Sequence, residues 1–197
     1  MVDEIVLASL SPFRAQLLKN AGLAVRVEGA RFDERAVDRQ NSGLSAIKLA
    51  QKLALEKARD VSQRFPRALV IGCDQVLELD GKVLHKITGM DEAHRRLQAL
   101  SGKTHYLHSA IALTQGGRPV WDDAATAAMT VRPLDSGFIS RHLARAGEKV
   151  LASVGAYQLE GEGVQLFEKI NGDYFTIIGL PLLPLLAQLR AMGVIDG

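Results

Sequence analysis

The sequence predicts an α/β protein in which a two-lobed mixed sheet is flanked by helices. Strand-like and helix-like segments alternate through the first half of the chain, a pattern typical of layered α/β folds. Two longer strand-like segments follow, and the glycine-rich turn between them predicts an antiparallel pair. No linker, repeat or low-complexity tract occurs in the 197 residues. We therefore expect one domain, 1–197, with a cleft between two lobes.

The amino-terminal elements follow from apolar runs and helix boundary signals. An apolar run predicts a strand at 4–9, a helix beginning at a proline covers 12–21, and a short strand follows at 24–28. Apolar residues at helical spacing predict a long amphipathic helix at 45–64. The wholly apolar run 68–73 is typical of a strand buried on both faces.

The later elements are bounded by glycine, serine or proline residues, which punctuate secondary structure. A glycine-punctuated segment at 155–172 carries no clear periodicity. The elements predicted in this half are a tight turn at 79–82, a helix at 91–100, strands at 104–114 and 119–131, and helices at 136–146 and 181–192.

Composition narrows the class of protein and its compartment. A hydrophobic content of 47% and a formal charge of +2, with Lys and Arg scattered, favour a globular protein without a nucleic-acid partner. The most apolar tract, 177–189, contains two prolines and is too short to span a membrane. The amino terminus lacks the pattern of a signal peptide. A single cysteine, Cys73, excludes an internal disulfide and indicates a cytoplasmic protein.

The most informative stretch is the opening strand and the Ser-x-Ser-Pro-x-Arg sequence that follows it. Helix starts attract anions because their first N–H groups lack partners. Arg14 adds a planar donor fork that suits phosphate oxygens. We call Ser9, Ser11 and Arg14 the phosphate cradle. The same pattern is also typical of an ordinary helix start with Ser11 as N-cap, so the cradle needs partners elsewhere in the chain.

Charged residues elsewhere fit a site for a triphosphate. Asp74 directly follows the apolar run, and ligands of open α/β sheets bind outside the carboxyl ends of strands. Such a carboxylate could bind a divalent metal, accept a proton from water, or cap a turn. The pair Asp33-Glu34 supplies hard oxygen ligands, and Lys57 and Lys86 supply cations. Each lysine alone is equally typical of a solvent-exposed surface.

Several other classes of site are disfavoured. The chain contains no Walker A loop, no Gly-x-Gly-x-x-Gly and no nucleophile elbow, which argues against kinases, Rossmann dehydrogenases and serine hydrolases. His105 and His108 are three apart in a predicted strand, so they point to opposite faces and form no metal site.

Seven ordered segments are distributed over nearly the whole chain. They are Leu7-Ala-Ser-Leu-Ser-Pro-Phe-Arg14, Asp33-Glu34, Leu55-Glu-Lys-Ala58, Gly72-Cys-Asp-Gln-Val76, Leu100-Ser-Gly-Lys-Thr-His105, Gly155-Ala-Tyr157, and Gly172-Asp-Tyr with Gly179-Leu-Pro-Leu182. In order and spacing these segments resemble the Maf family. The resemblance implies a Maf/ITPase-like fold with the active site in the cleft between the lobes. It also implies a homodimeric, metal-dependent pyrophosphatase that uses Mg²⁺ or Mn²⁺ to split a nucleoside triphosphate into monophosphate and pyrophosphate.

The resemblance also implies a role for individual residues. Asp74 is then the catalytic proton acceptor and, with Glu34, lies at the metal. This chain has Lys86-Ile87 where the family usually has Lys-Pro, which leaves the rigidity of that loop open. The implied phosphate-binding residues are Ser9, Ser11, Arg14, Lys57 and Lys86.

Three positions are expected to select the base: Phe13, Gln75 and Glu160. An aromatic residue, Gln and Glu resemble the branch of the family that acts on 7-methyl-GTP, whereas the dTTP/UTP branch carries Arg, Thr and Gln. An aromatic ring can stack on the cationic methylated purine for about 0.5–2 kcal/mol. The Glu160 carboxylate matches the N1–H and N2–H₂ donors of guanine. Phe13 in a core and Glu160 in solvent are the structural alternatives.

Two other functions stay open at this point. One is a dTTP/UTP pyrophosphatase of the same family. The other is a non-catalytic nucleotide-binding regulator of septum formation, since binding an anion needs no activated water. An enzyme of this family is expected to remove modified nucleotides before their incorporation, a house-cleaning role.

Overall fold

A computed structural model of the protein describes residues 4–41 and 43–196. The described chain divides into two compact units. The first unit comprises 4–75 without residue 42, 108–126 and 174–196, and the second comprises 76–107 and 127–173. Within the described ranges, no helix is both long enough and apolar enough to span a bilayer.

The strands form one seven-stranded mixed sheet, as the sequence predicts. Its order is β2-β1-β3-β5-β6-β7, and β4 pairs with β3 outside this path. Strand β1 is parallel to both neighbours, whereas the β3–β4 and β6–β7 pairs are antiparallel. The strands are β1 (Ile5–Ala8), β2 (Arg26–Val27), β3 (Leu69–Leu79), β4 (Lys82–Leu84), β5 (Thr104–Gln115), β6 (Arg118–Val131) and β7 (Phe167–Asn171).

Helices flank this sheet, so the predicted mixed α/β class is confirmed. Two short 3₁₀ segments, Gly147–Ala152 and Glu162–Leu166, lie in the glycine-punctuated region. The α-helices are α1 (Pro12–Asn20), α2 (Glu34–Gln40), α3 (Ala46–Arg64), α4 (Met90–Leu100), α5 (Ser136–Ala146), α6 (Tyr174–Ile178) and α7 (Leu182–Ala191).

The sequence missed several short elements and misplaced one strand end. Helices α2 and α6 and strands β4 and β7 were not predicted, because none has a long periodic apolar pattern of its own. The apolar run at 68–73 was expected to end at Asp74, but β3 continues to Leu79. The strand continues because the Asp74 carboxylate is paired inside the protein, as described below, and the residues beyond it are mostly buried.

The core of the first unit packs one sheet face against α1 and α7. Leu7 on β1 and Ile71 on β3 are paired in the parallel register, and both are fully buried. Leu18 on α1 and Leu185 and Leu189 on α7 belong to the same buried cluster. Alternation along the strands leaves the even-numbered residues of β3 for the other face, which α3 covers.

A buried histidine–tyrosine pair lies in the second unit. His105 on β5 is fully buried, and its Nε2 lies 2.6 Å from the Tyr157 hydroxyl. Phe167 packs edge-on against Tyr157, with ring centroids 4.8 Å apart. Burial, with a smaller contribution from the charge of Arg96, lowers the pKa of His105 to about 4. His105 is therefore neutral in the folded protein at neutral pH.

The lowered pKa of His105 predicts that the protein loses stability in mild acid. Between pH 6.5 and about 4 the unfolded chain binds a proton at His105 and the folded chain does not, so the free energy of unfolding falls as pH is lowered through that window. The shift corresponds to about 3 kcal/mol. Urea unfolding at several pH values should show this loss in the wild type and a smaller one in His105→Gln, which retains a hydrogen-bonding side chain. Equal pH dependence in the two proteins would contradict the assignment.

Candidate active site

A glycine in β3 allows α3 to lie directly against the strand. A Cβ built on Gly72 would lie 2.1 Å from the Ala54 carbonyl oxygen and 2.7 Å from the Ala58 Cβ. Lys57 lies on the stretch of α3 that makes this approach, and Asp74 follows Gly72 by two residues on the same strand face. The missing side chain therefore brings Lys57 to Asp74. The sequence carried the signal, since glycine inside a strand marks close backbone approach.

Two carboxylates converge on the lysine of α3. Lys57 Nζ lies 2.6 Å from Asp74 Oδ1 and 3.0 Å from Glu34 Oε2. We call Glu34, Lys57 and Asp74 the Lys57 cluster. Lys57 and Asp74 are buried, whereas the Glu34 side chain is 52% exposed. Glu34 is the first residue of α2, and Asp33 caps that helix by accepting a hydrogen bond from Arg35 N at 2.9 Å.

The electrostatics of the cluster suit a carboxylate that accepts protons. Burial raises the pKa of Asp74 above its ordinary value, and the charges of Lys57 and Arg14 only partly offset this effect. Burial alone would lower the pKa of Lys57, but the Asp74 and Glu34 charges outweigh it and raise that pKa. Lys57 therefore keeps its positive charge, while Asp74 is more basic than an exposed aspartate.

The phosphate cradle meets β3 at the residue before Asp74. Arg14 Nη1 donates to the Cys73 carbonyl oxygen at 3.1 Å and to Ser9 Oγ at 3.2 Å. The Ser11 backbone N–H also donates to Ser9 Oγ, at 3.3 Å. Ser11 occupies the N-cap position of α1, but its side chain makes no capping hydrogen bond. The start of α1 thus keeps N–H donors available to an anion.

The different lengths of two parallel strands place the cradle beside Asp74. Ala8, the last residue of β1, pairs with Gly72, and β3 continues past this point. The chain leaves β1 and turns into α1, so the cradle lies next to the part of β3 that β1 does not cover. The structure thus brings six predicted site residues into one region of the first unit: Ser9, Ser11, Arg14, Glu34, Lys57 and Asp74.

Gln75 lies on the sheet face opposite to Asp74 and has a fixed orientation. Its Nε2 donates to Ser109 Oγ at 3.0 Å and to the backbone carbonyl oxygens of Thr176 and Ile177 at 3.1 and 2.9 Å. Two carbonyl neighbours require the amide nitrogen on this side. Gln75 Oε1 has no hydrogen-bond partner among the described residues, so the side chain offers an acceptor. Phe13, near the start of α1, is partly exposed.

Lys86 and Glu160 belong to the second unit, and both are exposed. The loop that carries Lys86 is held on each side. Ile87 is buried, Thr88 N donates to Glu92 Oε2 at 2.7 Å, and Arg96 Nη2 donates to the His85 carbonyl oxygen at 2.8 Å. Apolar burial and these hydrogen bonds order a loop in which the family usually has proline.

The two carboxylates of the Lys57 cluster are oxygen ligands of the kind that a hard divalent cation takes, with the Lys57 ammonium between them. Asp74 Oδ1 and Glu34 Oε2 both contact Lys57 Nζ, at 2.6 and 3.0 Å. The distance between these two oxygens therefore cannot exceed the sum of those values. Mg²⁺ commonly takes one or two carboxylates and completes its shell with waters and phosphate oxygens. Among the described residues, no group of three or more His, Cys, Asp and Glu side chains could hold a metal. A cation held by these two carboxylates would therefore need water or other oxygen ligands to complete its shell.

Taken together, the fold and site define an α/β protein with a buried carboxylate beside a helix start that has no side-chain cap. The chain belongs to the Maf family, whose model, described as Maf-like protein, matches residues 4–192. It is 59% identical to a 7-methyl-GTP pyrophosphatase of Bartonella quintana, over 99% of this chain and 98% of that one. The corresponding protein of Bartonella henselae is 58% identical over the full length of both chains.

The chain is also similar to a third relative and to a solved structure. A 7-methyl-GTP pyrophosphatase of Mesorhizobium japonicum is 58% identical, again over both full lengths. Among solved structures, a nucleoside-triphosphatase described as a dITP/XTP pyrophosphatase of Mycobacterium abscessus matches with a TM-score of 0.42 and 14% identity, over 96% of this chain and 95% of that one.

Proposed function

We propose that this protein is a cytoplasmic, metal-dependent nucleoside triphosphate pyrophosphatase that acts on 7-methyl-GTP. The observation that carries the proposal is the meeting of Asp74, the Lys57 ammonium and the Arg14 guanidinium at the end of β1. A protein that only binds phosphate gains nothing from a buried carboxylate beside it, because that carboxylate repels the anion. The names of full-length relatives at 58–59% identity support the same activity.

In the proposed reaction, water attacks the α-phosphorus and the bond to the bridging oxygen of the β-phosphate breaks. Asp74 accepts a proton from the attacking water, a task that its raised pKa favours. Arg14 and the N–H groups at the start of α1 bind phosphate oxygens, and Lys57 adds positive charge beside Asp74. A divalent metal held by Glu34 and Asp74 would neutralise charge on the phosphates and lower the pKa of a bound water.

The proposed base preference depends on the groups that the site offers to a purine. The fixed acceptor at Gln75 Oε1 suits an N–H donor of guanine. Phe13 supplies an aromatic ring that favours the cationic methylated purine, and the resemblance to the family assigns the second acceptor to Glu160. Hydrolysis of this nucleotide would keep a modified guanine out of nucleic acid, the house-cleaning role expected of the family.

A nucleotide panel tests the proposal directly. The protein is incubated with 7-methyl-GTP, GTP, dTTP and UTP, each with Mg²⁺, with Mn²⁺ or with EDTA, and the products are separated by chromatography. We expect 7-methyl-GMP and pyrophosphate with either metal and no turnover in EDTA. Release of orthophosphate would overturn the bond assignment. Binding measured by calorimetry without any product would favour the non-catalytic regulator instead.

The three base-selecting positions give a prediction about specificity. Phe13→Arg, Gln75→Thr and Glu160→Gln together should lower the ratio of kcat/KM for 7-methyl-GTP over UTP by about a hundredfold, because the aromatic ring and the two acceptors that favour the methylated guanine are replaced. Steady-state kinetics on both nucleotides measure this ratio. Thermal unfolding of the triple variant is the control, since Gln75→Thr also removes hydrogen bonds to α6. An unchanged ratio in a folded variant would place specificity elsewhere.

A further inference from the structure

The guanidinium of Arg14 uses only part of its donor capacity in the first unit. Both hydrogens of Nη1 are accounted for by Ser9 Oγ and the Cys73 carbonyl oxygen. Nε is buried and has no hydrogen-bond partner within the described chain. Nη2 also makes no hydrogen bond to the described residues. A buried N–H without an acceptor is unfavourable, so some feature of the fold must cover this edge of the group.

That feature is Gly179, in the turn that follows α6. A Cβ built on Gly179 would lie 3.0 Å from Arg14 Nη2, 3.1 Å from Nε and 3.5 Å from Cζ. A point above the guanidinium face would be nearer to Cζ than to the nitrogens. The greater distance to Cζ puts this point in the guanidinium plane, outside the Nε–Nη2 edge. The Gly179 backbone therefore covers that edge.

The turn itself is fixed and leaves no room for a side chain. Gly179 has φ +101°, a value that favours glycine. Its N–H donates to the Phe175 carbonyl oxygen at 3.1 Å, and Leu180 N donates to the same oxygen at 3.0 Å. Because these hydrogen bonds hold the turn, it cannot easily move away from Arg14. On its other side, Arg14 is held by its hydrogen bonds to Ser9 Oγ and the Cys73 carbonyl oxygen. A methyl group at position 179 would displace the guanidinium.

We propose that Gly179 is a positioning residue for Arg14. Gly179 covers the Nε–Nη2 edge and so fixes the guanidinium. The Nη2 hydrogen that points away from Nε is then the donor left for a phosphate oxygen. The inference rests on the proposed function, in which Arg14 binds the phosphates of the nucleotide. The positive φ of Gly179 already favours glycine at this position. The proposal adds a second role, which is to hold the Arg14 guanidinium in place.

A double-mutant cycle tests the proposal through binding of inorganic pyrophosphate. Calorimetry on wild type, Gly179→Ala, Arg14→Ala and the double variant gives four dissociation constants. We expect Gly179→Ala to weaken binding about tenfold, the effect of one hydrogen bond to a charged group. In the Arg14→Ala background it should change binding less than about twofold, because no guanidinium remains to be displaced. Equal losses in both backgrounds, or no loss in either, would overturn the proposal.

Two further measurements protect the test against a folding defect. Gly193→Ala is the matched control, because Gly193 also has a positive φ, +66°, but a Cβ there would meet nothing within 4 Å. It should leave pyrophosphate binding unchanged, and a tenfold loss would point to backbone strain alone and overturn the proposal. In the unsubstituted protein, the Arg14 Nε–H should give an NMR signal protected from solvent exchange, assigned by its absence from Arg14→Ala. Exchange as fast as in exposed arginines would also overturn it.

The outcome for Gly179 is separable from the outcome for the proposed function. Suppose that the wild type releases pyrophosphate from nucleotides, but Gly179→Ala weakens pyrophosphate binding equally in both backgrounds. The proposed function then stands and the positioning role of Gly179 is rejected. A wild type that hydrolyses no nucleotide but binds pyrophosphate with the expected coupling keeps the positioning role and loses the function.

Discussion

Replacement of Asp74 by asparagine is expected to lower kcat for 7-methyl-GTP by at least about a thousandfold, within the range for loss of a general base. Asparagine has the same shape and can still accept a hydrogen bond from Lys57, but it cannot take a proton from water. Lys57 keeps Glu34 as a second partner at 3.0 Å, so the fold should survive. Steady-state kinetics give kcat, and circular dichroism with thermal unfolding reports the fold.

The control for this variant is Asp80→Asn. Asp80 forms an exposed ion pair with Lys103 at 2.7 Å in the second unit, and exposed pairs contribute little to stability. This variant should retain kcat within about twofold, which makes it a measure of generic Asp-to-Asn effects. A folded Asp74→Asn protein with kcat within tenfold of the wild type would reject Asp74 as the base.

Replacement of Gly72 by alanine is expected to damage both stability and activity. The added Cβ would lie 2.1 Å from the Ala54 carbonyl oxygen and 2.8 Å from the Ala58 N. Both are backbone atoms of α3, so the helix must move as a body. Overpacking of this kind costs about 3 kcal/mol or more. A shift of about 1 Å would also separate Lys57 from Asp74 and lower kcat/KM about a hundredfold.

Urea unfolding and steady-state kinetics on Gly72→Ala measure the two effects. Gly161→Ala is the matched control, because a Cβ on Gly161 meets nothing within 4 Å and its φ is negative. The control should change the free energy of unfolding by less than about 1 kcal/mol. If Gly72→Ala were as stable and as active as this control, the close approach of α3 to β3 would not be what positions Lys57.

Local patterns predicted those elements that carry a complete signal within one segment. The long helix at 45–64 is α3 (Ala46–Arg64), because apolar spacing, a preceding serine and a following proline all agree. The turn at 79–82 holds Asp80 and Gly81, both with positive φ, between β3 and β4. Helix α2 was missed because it has no buried residue and hence no apolar face to detect.

The candidate site was predictable as a set of residues but not as an arrangement. Serines, an arginine and a carboxylate at strand ends have a chemistry that can be read locally. The contacts that these residues make cannot be read locally, because the partners are far apart in the chain. Lys57 and Asp74 are separated by 17 residues, and Arg14 and Cys73 by 59 residues. The resemblance also implied that Lys57 binds phosphate. In the structure, Lys57 Nζ contacts the carboxylates of Glu34 and Asp74.

The sequence by itself determined the α/β class and the resemblance to the Maf family, and it predicted the phosphate cradle, because each can be recognised from short segments of the chain taken one at a time. Only the tertiary structure decided that β3 continues past Asp74, that Lys57 lies between two carboxylates, and that Gly72 lies against α3 and Gly179 against Arg14. Those features depend on how closely separate backbones approach one another. That distance is set by packing across the whole unit; a glycine inside a strand can mark a close approach but does not identify the segment that approaches.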